Sequence, residues 1–210
     1  MIRILVADDH PIVANGLRHL LQKAPGMVVA GEATTAEAAL KMLRQGRFDL
    51  LILDISIPEM GGLEALKRIK AAKIPVPVLM LSMYPEEHYA LRTLKLGASG
   101  YLGKENMPDE VVGAILKVVR GGRYLSPALR AELLDDGSPA RKKPPHEALS
   151  PREYQVMCLL ASGKTVGAIA KALGLSVKTI DTYLAHILEK LKLRNNVELA
   201  RYALENRLAF

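Results

Sequence analysis

The chain has 210 residues, 50% of them hydrophobic and 24% charged, the balance of a soluble globular protein of one large or two modest domains. Its formal charge of +7 invites a nucleic-acid partner, but the excess is spread as +3 over residues 1–125, +1 over 126–146 and +3 over 147–210, so charge alone locates no binding face. No apolar run reaches the roughly eighteen residues of a membrane span, "MIRILVADDHP" is too quickly acidic for a signal peptide, and the single Cys158 excludes an intrachain disulfide; a cytoplasmic protein is expected.

Short apolar runs alternate with helical patterns through the first 120 residues. "IRILVA" precedes a helical stretch from about His10 to Lys23, and "MVVAGEA" precedes one over Ala36–Arg44. "DLLILD" precedes Leu63–Ala71, "VPVLMLS" precedes Glu86–Lys95, and "GYLGK" precedes Asp109–Arg120. Five such units predict an α/β domain: a flavodoxin-like, doubly wound, five-stranded parallel sheet in the order 2-1-3-4-5. Residues 124–147 then change character, with a short helix candidate, Gly137, Pro139, the basic triplet Arg141-Lys142-Lys143 and Pro144-Pro145. That is linker chemistry, with the triplet read as a solvated charge run. From residue 148 the pattern is purely helical, over Pro151–Ala161, Val166–Leu173, Val177–Leu191 and Val197–Glu205, which predicts a small all-α four-helix domain. The expected division is 1–123, a linker over 124–147, and 148–210.

In a sheet of this order, chemistry gathers at the carboxyl ends of the strands. Asp8 and Asp9 close the first strand and Asp54 the third, while the fourth ends on Ser82 and the fifth near Lys104. Converging carboxylates repel unless a hard cation joins them, and oxygen ligands suit Mg²⁺. Taken singly, Asp9 is also a helix N-cap candidate, Ser82 a cap and Lys104 a surface cation. Together they form a site for phosphoryl transfer to Asp54.

The stretches "ILVADDHPIVANGL", "DLLILDISIPEMGGLEAL", "VLMLSMYPEE" and "LKLGASGYLGKE" resemble the receiver domain of bacterial two-component response regulators. The resemblance implies that Asp54 accepts a phosphoryl group from a sensor histidine kinase. It also implies that Asp9, Asp54 and the Ser56 carbonyl hold Mg²⁺ with help from Asp8. Ser82 and Lys104 would bind phosphoryl oxygens, and Tyr101 would move inward with Ser82. Gly103 departs from the larger residue usual before the lysine. An enzyme reading, an aspartyl-phosphate phosphatase, expects a second acid two residues after the nucleophile; Ser56 stands there, so no enzyme is expected.

"LSPREYQVMCLLASGKTVGAIAKALGLSVKTIDTYLAHILEKLKLRNNVELARYALENRL" resembles the LuxR/NarL-type helix-turn-helix domain. Thr165 and Ser176 are placed as N-caps, and Gly174 breaks one helix just before the next. Along the second of those helices Ile180, Leu184, Ile187 and Leu191 form a core stripe, leaving Lys178, Asp181, Thr182, Ala185 and Glu189 opposite. The resemblance puts Asp181, Thr182 and Ala185 at base-reading positions. An aspartate accepts from a cytosine amino group, and threonine or alanine meets a thymine methyl. Lys164, Lys178 and Lys190 are expected at phosphates, with Thr165 and Thr179 at the helix starts completing the contact set. Asn196 stands where the family usually has an arginine. The reading is a regulator of transcription that binds promoter half-sites in double-stranded DNA, as a homodimer when phosphorylated. A DNA-binding regulator that does not need phosphorylation, and an output that binds protein or RNA, remain open on the sequence.

Overall fold

The computed structural model describes residues 1–58, 60–84, 86–126, 130, 144–206 and 208. The helix candidate and the basic triplet of the linker lie outside them. The chain divides into two compact units, Met1–Gly137 and Ser138–Phe210. Among the described residues no helix is long and apolar enough to cross a membrane.

The first unit is a five-stranded parallel sheet of β1 (Ile2–Ala7), β2 (Met27–Ala33), β3 (Leu50–Asp54), β4 (Val78–Ser82) and β5 (Gly100–Gly103), in the expected order β2-β1-β3-β4-β5. Between and after the strands run α1 (Pro11–Gln22), α2 (Ala36–Gln45), α3 (Gly62–Ala71), α4 (Glu86–Lys95) and α5 (Met107–Val119). Every residue of β3 and β4 is buried, as uninterrupted apolar runs in a sheet covered on both faces must be. On one face Leu17 and Leu21 of α1 and Val111, Ile115 and Val118 of α5 pack on Ile4, Val6, Ile52 and Leu81. Each such side chain contributes ~1.5–3 kcal/mol by leaving water.

Local chemistry sets the helix starts. Pro11 occupies the first turn of α1, where its missing N–H is no loss. Thr35 Oγ1 accepts from the Ala38 amide at 3.2 Å and caps α2. Gly62 opens α3 because a Cβ there would stand 2.1 Å from the Asp54 carbonyl oxygen and 2.8 Å from Ile55 Cα. Its amide meanwhile donates to the Ile55 carbonyl at 2.9 Å, pinning α3 beside the end of β3.

The edge of β5 is covered. Tyr124 bridges Gly100, its amide donating to the Ser99 carbonyl at 3.0 Å while its carbonyl accepts from the Tyr101 amide at 3.3 Å. Tyr124, within the expected linker, thus makes an isolated bridge to the edge strand.

The second unit holds α6 (Pro151–Ala161), α7 (Val166–Leu173), α8 (Val177–Leu191) and α9 (Asn196–Glu205). Ser150 and Glu153 form a capping box on α6, and Thr165, Ser176 and Asn195 cap the next three helices. Gly174 ends α7 at φ 63, ψ 35, the left-handed geometry that lets α8 begin three residues later. Ile169, Leu173, Ile180, Ile187, Leu199 and Ala203 close the core with Val156 and Met157. A 3₁₀ turn over Pro145–Ala148 precedes α6, and the His146 amide donates to the Tyr202 hydroxyl of α9 at 3.3 Å. The first three residues of that turn fall within the expected linker, and its His146 contacts α9.

Candidate functional site

The parallel registers bring the strand ends together: Ala7 lies opposite Leu53, Asp54 opposite Leu81, and Ser82 opposite Gly103. Asp8, Asp54 and Lys104 therefore meet at one edge. The Lys104 ammonium stands 2.8 Å from Asp8 Oδ2 and 3.3 Å from Asp54 Oδ2, and both carboxylates are almost wholly buried. His10 lies at the rim, with Nδ1 3.2 Å from Asp8 Oδ1 and 3.0 Å from Asp9 Oδ1, and its amide donates to Asp8 Oδ1 at 2.8 Å. Asp9 does not cap α1. His10 holds the cap position, and its ring makes no cap bond.

Burial pushes the Asp54 carboxyl up from its ordinary 3.8 to about 6. Lys104 pulls it down, the Asp8 charge raises it further, and a hydrogen bond from the Ser56 backbone lowers it. Asp8 Oδ2, Asp9 Oδ1 and Asp54 Oδ2 are buried and make no regular hydrogen bond among the described residues; the Lys104 ammonium faces the first and the last, and His10 Nδ1 stands 3.0 Å from the second. Three converging carboxylates against one lysine leave negative charge that a hard divalent cation satisfies, so the residues fit Mg²⁺.

Beside the pocket a residue that sequence reasoning missed ties four groups together. The Tyr84 amide donates to Ser82 Oγ at 2.9 Å, and its carbonyl accepts from the Tyr101 hydroxyl at 2.7 Å. Its own hydroxyl accepts from Ser56 Oγ at 3.3 Å, and its ring stacks on Tyr89 at 4.9 Å. The available signal was an aromatic two residues beyond the end of β4, in "SMYP". Tyr101 was expected to move inward; it already stands inward at 2% exposure, and burial lifts its phenol above the ordinary range.

In the second unit Lys178, Asp181, Thr182, Ala185 and Glu189 are all exposed on α8, while Ile180, Ile187 and Leu191 are buried and Leu184 is half-buried. Four expected contact residues have their polar groups engaged elsewhere. Thr165 Oγ1 accepts from the Ala168 amide, and Thr179 Oγ1 shares a hydrogen bond with Ser176 Oγ at 2.8 Å. Lys190 was expected at a DNA phosphate. Instead its ammonium donates to both oxygens of Glu153, at 2.9 and 2.7 Å, in a pair that joins α8 to α6. The hydroxyl of Thr182 donates to the Lys178 carbonyl at 2.9 Å, so it is spent within the helix. Lys164 and Thr165 line a groove of about 290 Å³ with Val166, Asn196 and Leu199.

Residues 4–116 match the family model of the response regulator receiver domain, and residues 147–203 that of the bacterial regulatory proteins of the luxR family. The response regulator UvrY of Escherichia coli strain K12 is 35% identical over 99% of this chain and 96% of its own. The response regulator GacA of Pseudomonas aeruginosa is 35% identical over 98% and 97%. Among solved structures, RcsB of Salmonella enterica serovar Typhimurium, bound to promoter rprA in the presence of phosphomimetic BeF₃⁻, is similar with a TM-score of 0.64, at 28% identity over 96% and 98% of the two chains. A structure of two RcsB dimers bound to two parallel DNAs gives 0.59 at 29% identity, over 96% of each chain.

Proposed function

The chain belongs to the two-component response regulators that carry a receiver domain and a LuxR-type DNA-binding domain, and from that membership we propose that phosphorylation of Asp54 by a sensor histidine kinase controls its dimerisation and its binding to promoter DNA. It is a regulator of transcription, not an enzyme. The receiver role falls to the α/β unit and the DNA-reading role to α8.

An Asp54 carboxylate oxygen attacks the phosphorus of the kinase's phosphohistidine; the O–P bond forms as the N–P bond breaks, and the imidazole leaves with the electron pair. The carboxyl must be ionised to attack, and Lys104, 3.3 Å away, favours that form against the burial that opposes it. Lys104 and the Ser82 hydroxyl then hold the new phosphoryl oxygens. Asp8, Asp9, Asp54 and the Ser56 carbonyl would hold Mg²⁺, which when bound neutralises charge on the transferring group. Because Ser82 Oγ is bonded to the Tyr84 amide, its move toward a phosphoryl group breaks that bond and disturbs the Tyr84–Tyr101 contact. That disturbance is the start of the switch.

At the DNA, Asp181, Thr182 and Ala185 read base edges, while Lys164 and Lys178 approach phosphates. The RcsB structures on promoter DNA support a duplex as the target and a dimer as the binding species. One observation carries the reading: a buried carboxylate at the end of a central strand, faced by a lysine and two further acids. The inward Tyr101 favours a second reading, a regulator whose switch is set without phosphate.

Intact mass after incubation with a small phosphodonor and Mg²⁺, for the native chain and Asp54→Asn, separates the two. One phosphoryl group on the native chain alone supports the switch, and none on either moves the weight to the second reading. Duplex binding measured against salt then tests the output, since phosphate neutralisation gives a steep slope.

A further inference from the structure

Resting on the reading of the acidic pocket as a cation site, we propose that His10 supplies a nitrogen ligand to that site. The pocket is then selective for first-row transition ions over Mg²⁺.

One potential ligand atom from each of Asp8, Asp9, His10 and Asp54 lies within 4.8 Å of all the others. That is close to the spread of ligands about one ion with bonds of roughly 2.0–2.2 Å. Asp54 is 1% exposed, and its Oδ2 makes no regular hydrogen bond among the described residues; the Lys104 ammonium at 3.3 Å is shared with Asp8, so one lysine faces two buried carboxylates.

The His10 ring is held for this position. Its backbone is extended at φ −93, ψ 108, just ahead of Pro11, and its amide donates to Asp8 Oδ1 at 2.8 Å. The helix does not use the ring, which makes no cap bond although it occupies the cap position. It lies instead against Asp8 Oδ1 and Asp9 Oδ1, while Lys104 approaches Asp8 through the opposite oxygen, Oδ2. The ammonium and the imidazole therefore take different faces of one carboxylate and do not exclude each other.

Donor chemistry sets the consequence. Carboxylate, carbonyl and water ligands suit Mg²⁺, whereas an imidazole raises affinity along the series from Mn²⁺ to Ni²⁺ and Cu²⁺. The half-exposed ring stands on the rim, so an ion meets it at the mouth of the pocket while two of the carboxylates stay below.

The test loads the full chain with Mn²⁺ and reads nitrogen modulation in the electron spin echo. Titrations with Ni²⁺ and with Mg²⁺ accompany it. The native chain is expected to show the modulation of one coordinated imidazole, and His10→Ala to lose it. The same substitution is expected to weaken Ni²⁺ about tenfold or more while changing Mg²⁺ by less than about twofold. His19→Ala, on α1, is expected to leave both unchanged. A bound Mn²⁺ without nitrogen modulation, or modulation that survives His10→Ala, overturns the proposal and leaves the pocket as an all-oxygen site. Failure of the native chain to bind either Mg²⁺ or Mn²⁺ overturns the cation reading of the pocket itself.

Discussion

The Tyr101 hydroxyl donates to the backbone carbonyl of Tyr84 at 2.7 Å, joining β5 to the loop after β4. That loop also holds Ser82 Oγ through the Tyr84 amide, so the two strand ends flanking the pocket share one small network.

Tyr101→Phe keeps the ring and removes only the bond to Tyr84. We expect a loss of about 1 kcal/mol in the first unit, against ~3–5 kcal/mol for Tyr101→Ala, which also leaves a cavity. Because the chain has two compact units, a single unfolding midpoint would mix them. Hydrogen exchange of the β4 and β5 amides reads the effect locally. Unchanged exchange in Tyr101→Phe would mean that the bond contributes nothing to the inward position.

Asp54 makes stability depend on pH. Its carboxyl titrates at about 6 in the folded chain against an ordinary 3.8, so between those values the native state holds a proton that the unfolded state releases. The stability this represents is complete below about pH 4 and is lost as pH rises through 6. The gap is about two pH units at ~1.4 kcal/mol each, or ~3 kcal/mol. In the presence of a chelator, Asp54→Asn is therefore expected to be more stable than the native chain at pH 7 by up to that amount. The two should converge near pH 4. Equal stabilities at pH 7 would show that Lys104 compensates the buried charge fully.

Lys104 faces two buried carboxylates, and replacing it with methionine leaves both without their cation. Removal of one partner from a buried pair costs ~3–5 kcal/mol. Hydrogen exchange of the β3 and β4 amides in chelator should speed up accordingly, and millimolar Mg²⁺ should restore more protection to Lys104→Met than to the native chain, because a bound cation replaces the lost one. Equal gains from Mg²⁺ would place the ion away from these acids.

On α8 two lysines should behave differently. Lys178 is exposed, and alanine there is expected to weaken binding to every duplex and to lower the salt slope by about 1. Lys190 is held by Glu153, which also accepts from the Ser150 amide at 2.6 Å. Alanine at Lys190 should therefore loosen the packing of α8 on α6, visible as faster exchange in both helices, with little change in salt slope. A change at Asp181 should alter which sequence is preferred. A salt slope that falls equally for both lysines would return Lys190 to the DNA.

The sheet was legible because its signal is local. Leu50-Leu51-Ile52-Leu53 can be buried only as a central strand, and Thr165, Gly174 and Ser176 mark helix ends by their own chemistry. α5 starts at Met107, ahead of the expected Asp109, because Pro108 is tolerated in a first turn. What stayed hidden depends on partners distant in the chain. Glu153 lies 37 residues before Lys190, Tyr202 lies 56 after His146, and Tyr124 bridges Gly100 only once β5 presents an open edge. The three acids and Lys104 were legible as strand-end residues, but the position of His10 between two of those acids needed the backbone turn into α1.

Gly62 touches no substrate and carries no functional group, yet it has almost no room to vary. Any side chain there would drive into the peptide that bears Asp54. In a scan of every substitution along the chain, residue 62 would score as intolerant as the acid eight positions before it, and a map drawn from such scores would place it inside the site. It is a spacer. Any lineage that changed it would have to rebuild the approach of α3 to β3 in the same step, so at this point inheritance constrains a gap as firmly as a group.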